Sequence, residues 1–570
     1  MSETVQELLG KPPARKPIDW KGLFLQWKKE CGVLLTLLLV LTGPFLLRPK
    51  ESTAPGRYDK RLVILTPHHE QIRKEFGMAF ARYWKQKTGE TVYLDWRVAG
   101  TGEIQMMMRS DFTNAFERYW RVKLAQSWDE EAAAFMQTGE TISPARKGFL
   151  DSDVGIGVDL MFGGGPYDFN LAARQGILVA ADKKTGSGLQ KISAQHPEWF
   201  DDKAIPVGLS GQIYRDEKMQ WCGTCLSTFG IVYNKDVLKR LGIENEPTQW
   251  SDLADPRYFG HLALADPTKS GSVTMVFEMI VQQQMHAALE RITATPGRYR
   301  NAAEIEAAAV RAGWTSGLQL IQRIAANARY FTDSSPKIPL EVSKGDAAAG
   351  MCIDFYGRTA EDYVRRADGS SRIGFVAPVG GTAVSVDGIG MLRGASQPEL
   401  AAAFMEWVLS DEGQKIWCYR TGAPGGPEHQ ALRRLPVRKD FYTAEHETFM
   451  TDAAEKPWDK AKAFVYKPEW TGHALGALRM LIRVTCVDTH RELKKAWQAS
   501  IQAGQPERAL EVLGQMTTVS YDTAIKDLTG VISARNKVQE VREARRLTEA
   551  FRRQYEQAQY IAEASGRRKP

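Results

Sequence analysis

The sequence predicts an α/β protein, because strand-like and helix-like stretches alternate along most of the chain. Residues 61–66 form a short apolar run of the kind that makes a buried strand. Residues 70–85 follow it and carry Ile72 and Phe76 at helical spacing. Strands that alternate with helices in this way are typical of parallel sheets covered by helical layers.

The same two patterns recur further along the chain. Two stretches, 112–140 and 283–325, are predicted to be helical insertions, and the chain beyond about residue 440 is predicted to be mostly helical. In 522–562, apolar residues keep helical spacing, which predicts a helix that packs on its own domain or, alternatively, binds a partner. The other predicted strands are 91–96, 158–162, 229–233, 372–376 and 388–392, and the other predicted helices are 167–175, 235–241 and 398–409.

The composition is that of a globular protein with a hydrophobic core. Of its 570 residues, 43% are hydrophobic and 25% are charged, and the length allows about two to four domains. The 75 basic residues are nearly balanced by 68 acidic ones, which does not fit a nucleic-acid-binding surface. The six cysteines are too widely spaced for a disulfide scaffold or a zinc site.

One uncharged apolar segment, 31–47, stands apart from the rest of the sequence. As a helix it would reach roughly 25 Å, at the short end of what a bilayer requires. We predict a transmembrane signal anchor, with a cytoplasmic segment at 1–30 and a polar linker at 48–60. A cleaved signal peptide is the alternative, although no small-x-small cleavage site follows closely.

Residues 221–225, WCGTC, resemble a thioredoxin active site. That chemistry needs its first cysteine at a helix N-terminus, which lowers the thiol pKa. The residues that follow have the pattern of a strand, so we predict buried thiols or a local disulfide instead. No G-x-S-x-G or HExxH motif occurs, and we predict a non-enzymatic protein without a cofactor or a resident metal.

The segment 266–272 lies just before an apolar helical run and has the character of an anion site. Free N–H groups, hydroxyls and the positive end of a helix together suit phosphate or carboxylate. Ordinary helix capping is the alternative. The candidate ligand-binding residues of this kind are Thr268, Ser270, Gly271 and Ser272 here and, at the start of an earlier helix, Thr101 and Gly102.

Other candidates follow predicted strands. Gly164 and Gly165 lie in a glycine run after the strand 158–162, where ligand could approach the backbone; a tight turn is the alternative. The remaining candidates are His69, after the first strand, and Asp354 and Tyr356, after the strand-like stretch 350–355. Histidines and tyrosines in such positions are also common as structural residues.

Several of these segments resemble one family, in the same order along the chain. The matching pieces are 62–70, 158–179, 229–235 (FGIVYNK), 250–272 (WSDLADPRYFGHLALADPTKSGS), 343–356 and 387–414. They resemble the bacterial extracellular solute-binding proteins of ABC transporters, in the class that binds ferric iron, thiamine, polyamines and phosphonates or sugar phosphates. The piece 250–272 is the most specific match.

The resemblance implies a two-lobed type II periplasmic-binding fold with an N-terminal transmembrane helix and a helical C-terminal extension. Lobe one would comprise 58–200 and 384–500, lobe two 201–383, and the extension 501–570. The chain would cross between lobes near 180–210 and 380–387. The solute would lie between the lobes, which close around it by a hinge motion.

The resemblance leaves the solute open. Ferric-ion members use adjacent tyrosines and an N-terminal histidine; here the pair is Phe355 and Tyr356, with His69 available. Asp354 and Asp387 could pair with a ligand amine, and the 266–272 helix start resembles a phosphate-binding element. We therefore expect a small anionic or zwitterionic solute of organophosphate type, with ferric iron, thiamine and polyamine as alternatives.

The resemblance also implies partners and a location. The chain would be a monomer in the periplasm or extracytoplasmic space, held at the inner membrane, and would deliver its solute to an ABC permease with its ATPase. No nucleic-acid partner is expected. A sensor domain with the same fold and a redox or hydrolytic enzyme are the competing functions.

Overall fold

The computed structural model describes residues 57–137, 142–295, 297, 299–533 and 536–567, together with residues 27, 32, 35–39, 41 and 42. They fall into two units, Met1–Tyr58 and Asp59–Pro570. Most of the predicted segments 1–30, 31–47 and 48–60 lies outside the described residues, as do 568–570 of the predicted extension. Within the described part of the chain, no helix has both the length and the apolar character that crossing a bilayer requires.

The second unit is a mixed α/β structure built on two main sheets. Its strands are β1 (Lys60–Thr66), β2 (Val92–Val98), β3 (Leu160–Phe162), β4 (Leu178–Val179), β5 (Gly208–Leu209), β6 (Gln212–Ile213), β7 (Cys222–Ser227), β8 (Phe229–Asn234), β9 (Leu262–Ala265), β10 (Ala328–Thr332), β11 (Ala349–Ile353), β12 (Ile373–Val376), β13 (Ser385–Leu392) and β14 (Leu435–Pro436). The strands β5 and β6 form a separate small ribbon.

The first sheet has the order β14–β7–β13–β3–β1–β2, and β4 pairs with β13. Its strands β1, β2 and β3 are parallel, whereas β13 runs antiparallel to β3 and β7. The second sheet has the order β10–β9–β11–β8–β12, with β9 parallel to β10 and β11, and β8 antiparallel to β11 and β12. The predicted parallel arrangement is therefore correct for the pairs formed by β1, β2 and β3 and by β9, β10 and β11, and wrong for the pairs formed by β7, β8, β12 and β13.

Helices cover both sheets. The longer ones are Glu70–Thr88, Thr101–Val122, Pro144–Asp151, Pro166–Gln175, Leu189–Gln195, Lys235–Arg240, Gly271–Thr293, Ala302–Ala326, Lys337–Lys344, Asp354–Tyr363, Pro398–Leu409, Asp411–Cys418, Leu475–Ile482, His490–Gln502, Glu507–Leu513 and Lys537–Gly566. Shorter helical segments include Glu130–Ala133, Ala444–Glu447, Pro457–Lys460, Pro468–Thr471 and the π-helical turns Arg483–Val487 and Ala524–Leu528.

The two stretches that are predicted to be helical insertions contribute helices to the core. In Thr101–Val122, Phe112 and Phe116 are fully buried in the core of the first sheet. The helices Gly271–Thr293 and Ala302–Ala326 pack so closely that a Cβ on Gly313 would lie 2.2 Å from the Met285 backbone. The glycine therefore permits a helix contact that any larger residue would block.

The chain passes from the first sheet to the second at Thr228. This residue alone separates β7 from β8, and the two strands form one buried stretch that changes sheets. The predicted start of lobe two at residue 201, and the predicted crossing near 180–210, are therefore wrong. All residues of both strands are buried, so burial does not change at the crossing. The return connection, between β12 and β13, spans 377–384.

The C-terminal region belongs to the second lobe. Trp470, Leu478 and Trp497 are buried in the core of the second sheet, and the Trp497 indole N–H donates to Asn327 Oδ1 at 2.8 Å. The predicted assignment of all of 384–500 to lobe one is therefore wrong for the part from about residue 470 onward. Leu547, Phe551 and Tyr555 of the last helix are fully buried in the same core, which confirms that this helix packs on its own domain.

Candidate functional site

A cavity of about 560 Å³ lies between the two sheets, where strands end and helices begin. The first lobe contributes residues that follow β1, β2 and β3, together with part of β13 and Arg434. The second lobe contributes residues that follow β9 and β11, and a wall from the C-terminal region. The volume fits a small solute, within the range usual for ligand pockets.

Five helices begin at this cleft. Their first-turn or capping residues that line it are His69, Thr101, Gly165 with Pro166 and Asp168, Gly271 with Ser272, and Phe355 with Tyr356. The first N–H groups of a helix have no intrahelical acceptor, and the helix dipole makes this end positive. Five such ends around one cavity favour an anionic ligand.

The glycine run after β3 is a sharp turn that requires glycine. Gly163 and Gly164 have φ angles of +94° and +102°, which side-chain-bearing residues rarely adopt. A Cβ on Gly163 would also lie 2.7 Å from His68 Nε2. The turn brings the Gly164 and Gly165 backbone to the cleft, so the tight-turn interpretation is confirmed, and the approach of a ligand to this backbone stays a prediction.

Arg434 is the buried cation of the cleft. It has 1% side-chain exposure, forms an ion pair with Asp387, and lies over the Phe355 ring with 4.4 Å between the guanidinium carbon and the ring centroid. Its Nε has no hydrogen-bond partner among the described residues. Since Arg434 comes from the first lobe and Phe355 from the second, this stacking joins the lobes across the cavity.

His69 also contacts the opposite lobe. Its ring stacks on Tyr356 with centroids 5.0 Å apart, and Nδ1 lies 2.8 Å from Gln71 Oε1. Within the described chain, its buried Nε2 lacks a hydrogen-bond partner. Burial lowers the pKa of His69, so the ring is neutral at neutral pH and can offer one nitrogen to a ligand.

The closed arrangement depends on a close approach between Thr101 and Gly271. A Cβ added to Gly271 would lie 2.8 Å from Thr101 Oγ1, across the cleft. Both residues line the cavity, each at the start of its helix. The lobes are therefore in contact here, as expected of a closed cleft.

Asp168 is a half-buried carboxyl in the first turn of Pro166–Gln175. Removal from water raises its pKa to about 6, against the opposing effects of Arg479 and of the Gly165 N–H hydrogen bond. Near neutral pH, this group therefore changes charge at the wall of the cleft.

We expect anion affinity to depend on this proton. Sulfate keeps the same charge between about pH 5 and pH 7, and its affinity should fall over that range as Asp168 ionises, because a carboxylate repels the anion. Calorimetric titration at a series of pH values measures this. Asp168→Asn should remove the step near pH 6, and a step of equal size in that variant would contradict the assignment.

Eight of the predicted ligand-binding residues line the cleft. They are His69, Thr101, Gly164, Gly165, Gly271, Ser272, Tyr356 and Asp387. Gly102, Thr268, Ser270 and Asp354 are not among the residues that line this cavity, and ligand contact stays a prediction for all twelve.

For each of these four residues, a local contact or position explains why it does not line the cavity. Ser270 is buried, bonds to the Ser335 hydroxyl at 2.8 Å and caps the helix through Val273 N–H, whereas Thr268 donates to Asp266 in a turn. Asp354 is fully buried in an ion pair with Arg358. Gly102 lies one position further along its helix than Thr101, and the helical turn of about 100° per residue takes it off the cleft.

Sequence reasoning missed several groups at the cleft: Asp168, Glu278, Arg434, Tyr466 and Arg479. Of these groups, Glu278 alone could have been noticed in the sequence, because it is the one charged residue in the mainly apolar helical run 273–281. The others lie in ordinary-looking sequence and reach the cavity through the fold.

The cysteine motif lies away from helix starts. Cys222 and Cys225 are buried in β7 as free thiols, and burial raises the pKa of each to about 12. The prediction of buried thiols is confirmed, and a reactive thiolate is disfavoured at this position.

Part of the chain is similar to known solute-binding and transport-related proteins. The family model described as "Bacterial extracellular solute-binding protein" matches residues 201–445. An uncharacterized protein of Haemophilus influenzae is 24% identical over 191 residues, which is 34% of this chain and 45% of that protein. The phosphoglycerate transport regulatory protein PgtC of Salmonella typhimurium is 21% identical over 295 residues, 51% of this chain and 59% of that protein. The chain thus spans about half the length of these relatives.

Solved structures with similar folds superpose on this chain with low TM-scores. The periplasmic binding protein AfuA of Actinobacillus pleuropneumoniae, with fructose-6-phosphate bound, has a TM-score of 0.41 and 18% identity, over 67% of this chain and 86% of that one. Iron-bound HitA of Pseudomonas aeruginosa has a TM-score of 0.41 and 16% identity, over 74% of this chain and 97% of that one. The family match itself covers the crossing strands, the Gly271 helix start and Arg434: the segment 201–445 matches the model of the bacterial extracellular solute-binding proteins.

Proposed function

We propose that the protein is the solute-binding component of a bacterial ABC importer and binds a small anionic or zwitterionic solute of organophosphate type between its lobes. The observation that carries this proposal is the convergence of five helix N-termini and the buried Arg434 on one cavity. A phosphate group fits such a set of N–H donors and a guanidinium. The family match of residues 201–445 and the name of the PgtC relative support it.

The proposal includes a location and partners. The family is extracellular, so the second unit would lie in the periplasm, with 31–47 as its inner-membrane anchor. Closure of the lobes around solute would create the surface that an ABC permease with its ATPase recognises. We propose a monomer that needs no cofactor, catalyses no reaction and binds no nucleic acid.

The test is calorimetry on the full chain in detergent, with 3-phosphoglycerate, fructose 6-phosphate and inorganic phosphate as probes. We expect at least one phosphate ester to bind without turnover, and small-angle scattering to show a more compact protein on binding. Hydrolysis of the probe, or no binding of any of these phosphates, would contradict the proposal.

Two neighbouring serines provide a matched pair of variants. Ser272 lines the cleft at the helix start, so Ser272→Ala should weaken phosphate-ester binding by about 1–2 kcal/mol. Ser270→Ala removes a helix cap and should lower the free energy of unfolding by about 1 kcal/mol with little change in affinity. Equal affinities in the wild type and Ser272→Ala would exclude the Ser272 hydroxyl as a ligand contact.

A ferric-iron function receives less support from the site. Tyr356 supplies one phenol where its neighbour is Phe355, and burial raises the pKa of Tyr356, which disfavours the phenolate that iron requires. A regulatory role is a second candidate, because the relative PgtC is named a transport regulatory protein. Ligand-dependent stimulation of a permease ATPase, as opposed to a signalling partner, separates transport from regulation.

A further inference from the structure

The C-terminal region forms one wall of the cleft. Tyr466, Pro468, Gly472, Leu475 and Arg479 all line the cavity. They lie beyond residues 201–445, the part of the chain that matches the family model. We refer to residues 466–479 as the C-terminal wall.

The C-terminal wall holds a buried carboxylate in place. Glu278, in the helix Gly271–Thr293, is fully buried and lines the cavity. Its Oε1 accepts hydrogen bonds from the Tyr466 hydroxyl at 2.8 Å and from the Thr471 hydroxyl at 2.6 Å. Both donors belong to the C-terminal wall, so this wall fixes the orientation of the carboxylate.

The second oxygen of this carboxylate is unsatisfied. Glu278 Oε2 is buried and has no hydrogen-bond partner among the described residues. Burying a polar atom without a partner costs about 1–3 kcal/mol, and nearly all buried polar groups avoid it. Since Glu278 lines the cavity, a donor group on a bound solute would supply the missing hydrogen bond.

Arg479 adds a fixed cation to the same wall. Its Nε donates to Thr274 Oγ1 at 3.1 Å, which places the guanidinium at the start of the helix Gly271–Thr293. It is also near enough to Asp168 and Glu278 to affect the pKa of both carboxyls. The C-terminal wall thus orients the acceptor Glu278 and itself contributes the cation Arg479.

We propose that Glu278, oriented by the C-terminal wall, forms a second subsite that accepts a hydrogen bond from a hydroxyl or ammonium group on the solute. The solute would then carry a donor group as well as the anionic group, as a hydroxylated or aminated phosphate ester does. This inference rests on the proposed anion-binding function and adds to it a specificity-determining residue. Inorganic phosphate alone would leave the subsite empty.

The test compares three probes by calorimetry on the full chain: inorganic phosphate, glycerol 3-phosphate and O-phosphoethanolamine. The wild type should bind at least one ester about tenfold or more tightly than phosphate. Glu278→Gln replaces the free acceptor by an amide and should weaken that ester by about 10- to 100-fold, while phosphate changes by less than about twofold. A preference for glycerol 3-phosphate identifies a hydroxyl group, and a preference for O-phosphoethanolamine identifies an ammonium group.

Tyr466→Phe is the second variant, because it removes one hydroxyl that orients Glu278 and keeps the ring. It should lower ester affinity selectively by about threefold to tenfold, and it decides the question if Glu278→Gln does not fold. A loss of equal size for phosphate and esters would overturn the subsite alone. Failure of the wild type to bind any of the three probes would overturn the anion-binding function together with the subsite.

Discussion

Replacement of Arg434 by alanine should lower the affinity for a phosphate ester by about 100-fold or more. The variant removes the buried cation of the cleft and leaves Asp387 as an unpaired carboxylate in its wall. It should also lower the free energy of unfolding by about 3–5 kcal/mol, the usual cost of breaking a buried ion pair on one side. Calorimetry measures the first effect and urea denaturation the second.

Two further variants separate charge from packing at this position. Arg434→Lys keeps the charge but loses the planar stacking on Phe355, and we expect an affinity between those of the wild type and the alanine variant. The double variant Arg434→Met with Asp387→Leu should recover most of the stability without recovering anion binding. If Arg434→Ala bound phosphate esters as the wild type does, Arg434 could not be a ligand contact.

Replacement of Arg358 by alanine should destabilise the protein by about 3–5 kcal/mol without a direct effect on the cleft. Arg358 is buried and pairs with Asp354 at 2.7 Å, with Asp452 and Glu455 at 3.8 and 3.9 Å. Asp354 has no exposed surface, so the alanine variant leaves its charge buried and unpaired. Urea denaturation measures the change.

A double variant of the same ion pair tests whether Asp354 contacts the ligand. Arg358→Met combined with Asp354→Leu removes both charges and should be close to the wild type in stability. This double variant should bind phosphate esters as well as the wild type, because neither side chain lines the cavity. A loss of less than about 1 kcal/mol in Arg358→Ala, or a selective loss of affinity in the double variant, would refute this account.

Local sequence patterns located most of the secondary structure. The predicted helix 398–409 coincides with Pro398–Leu409, and the predicted helix 70–85 falls within Glu70–Thr88. Such segments are recognisable because the spacing of apolar residues follows directly from the geometry of a helix or strand. The same reasoning found Gly271 and Ser272, because a helix start is a local feature.

Local sequence patterns could not predict which lobe each strand belongs to. The strands β7 and β8 are both buried along their whole length, yet β7 pairs with β13 in the first sheet and β8 with β11 and β12 in the second. Pairing partners lie more than a hundred residues away along the chain, and the pattern within a strand does not name them. The same limit applies to the C-terminal region, which returns to the second lobe.

The sequence by itself determined the α/β class, many of the helices, about half of the strands, and the helix starts that face the cleft, because each depends on neighbouring residues. Only the tertiary structure decided where the chain crosses between sheets and that Arg434, Glu278 and the C-terminal wall meet at one cavity. These groups come together through contacts between residues far apart in the chain, and their chemistry arises from shared burial: it leaves Glu278 Oε2 without a partner among the described residues and places Arg434 beside Phe355.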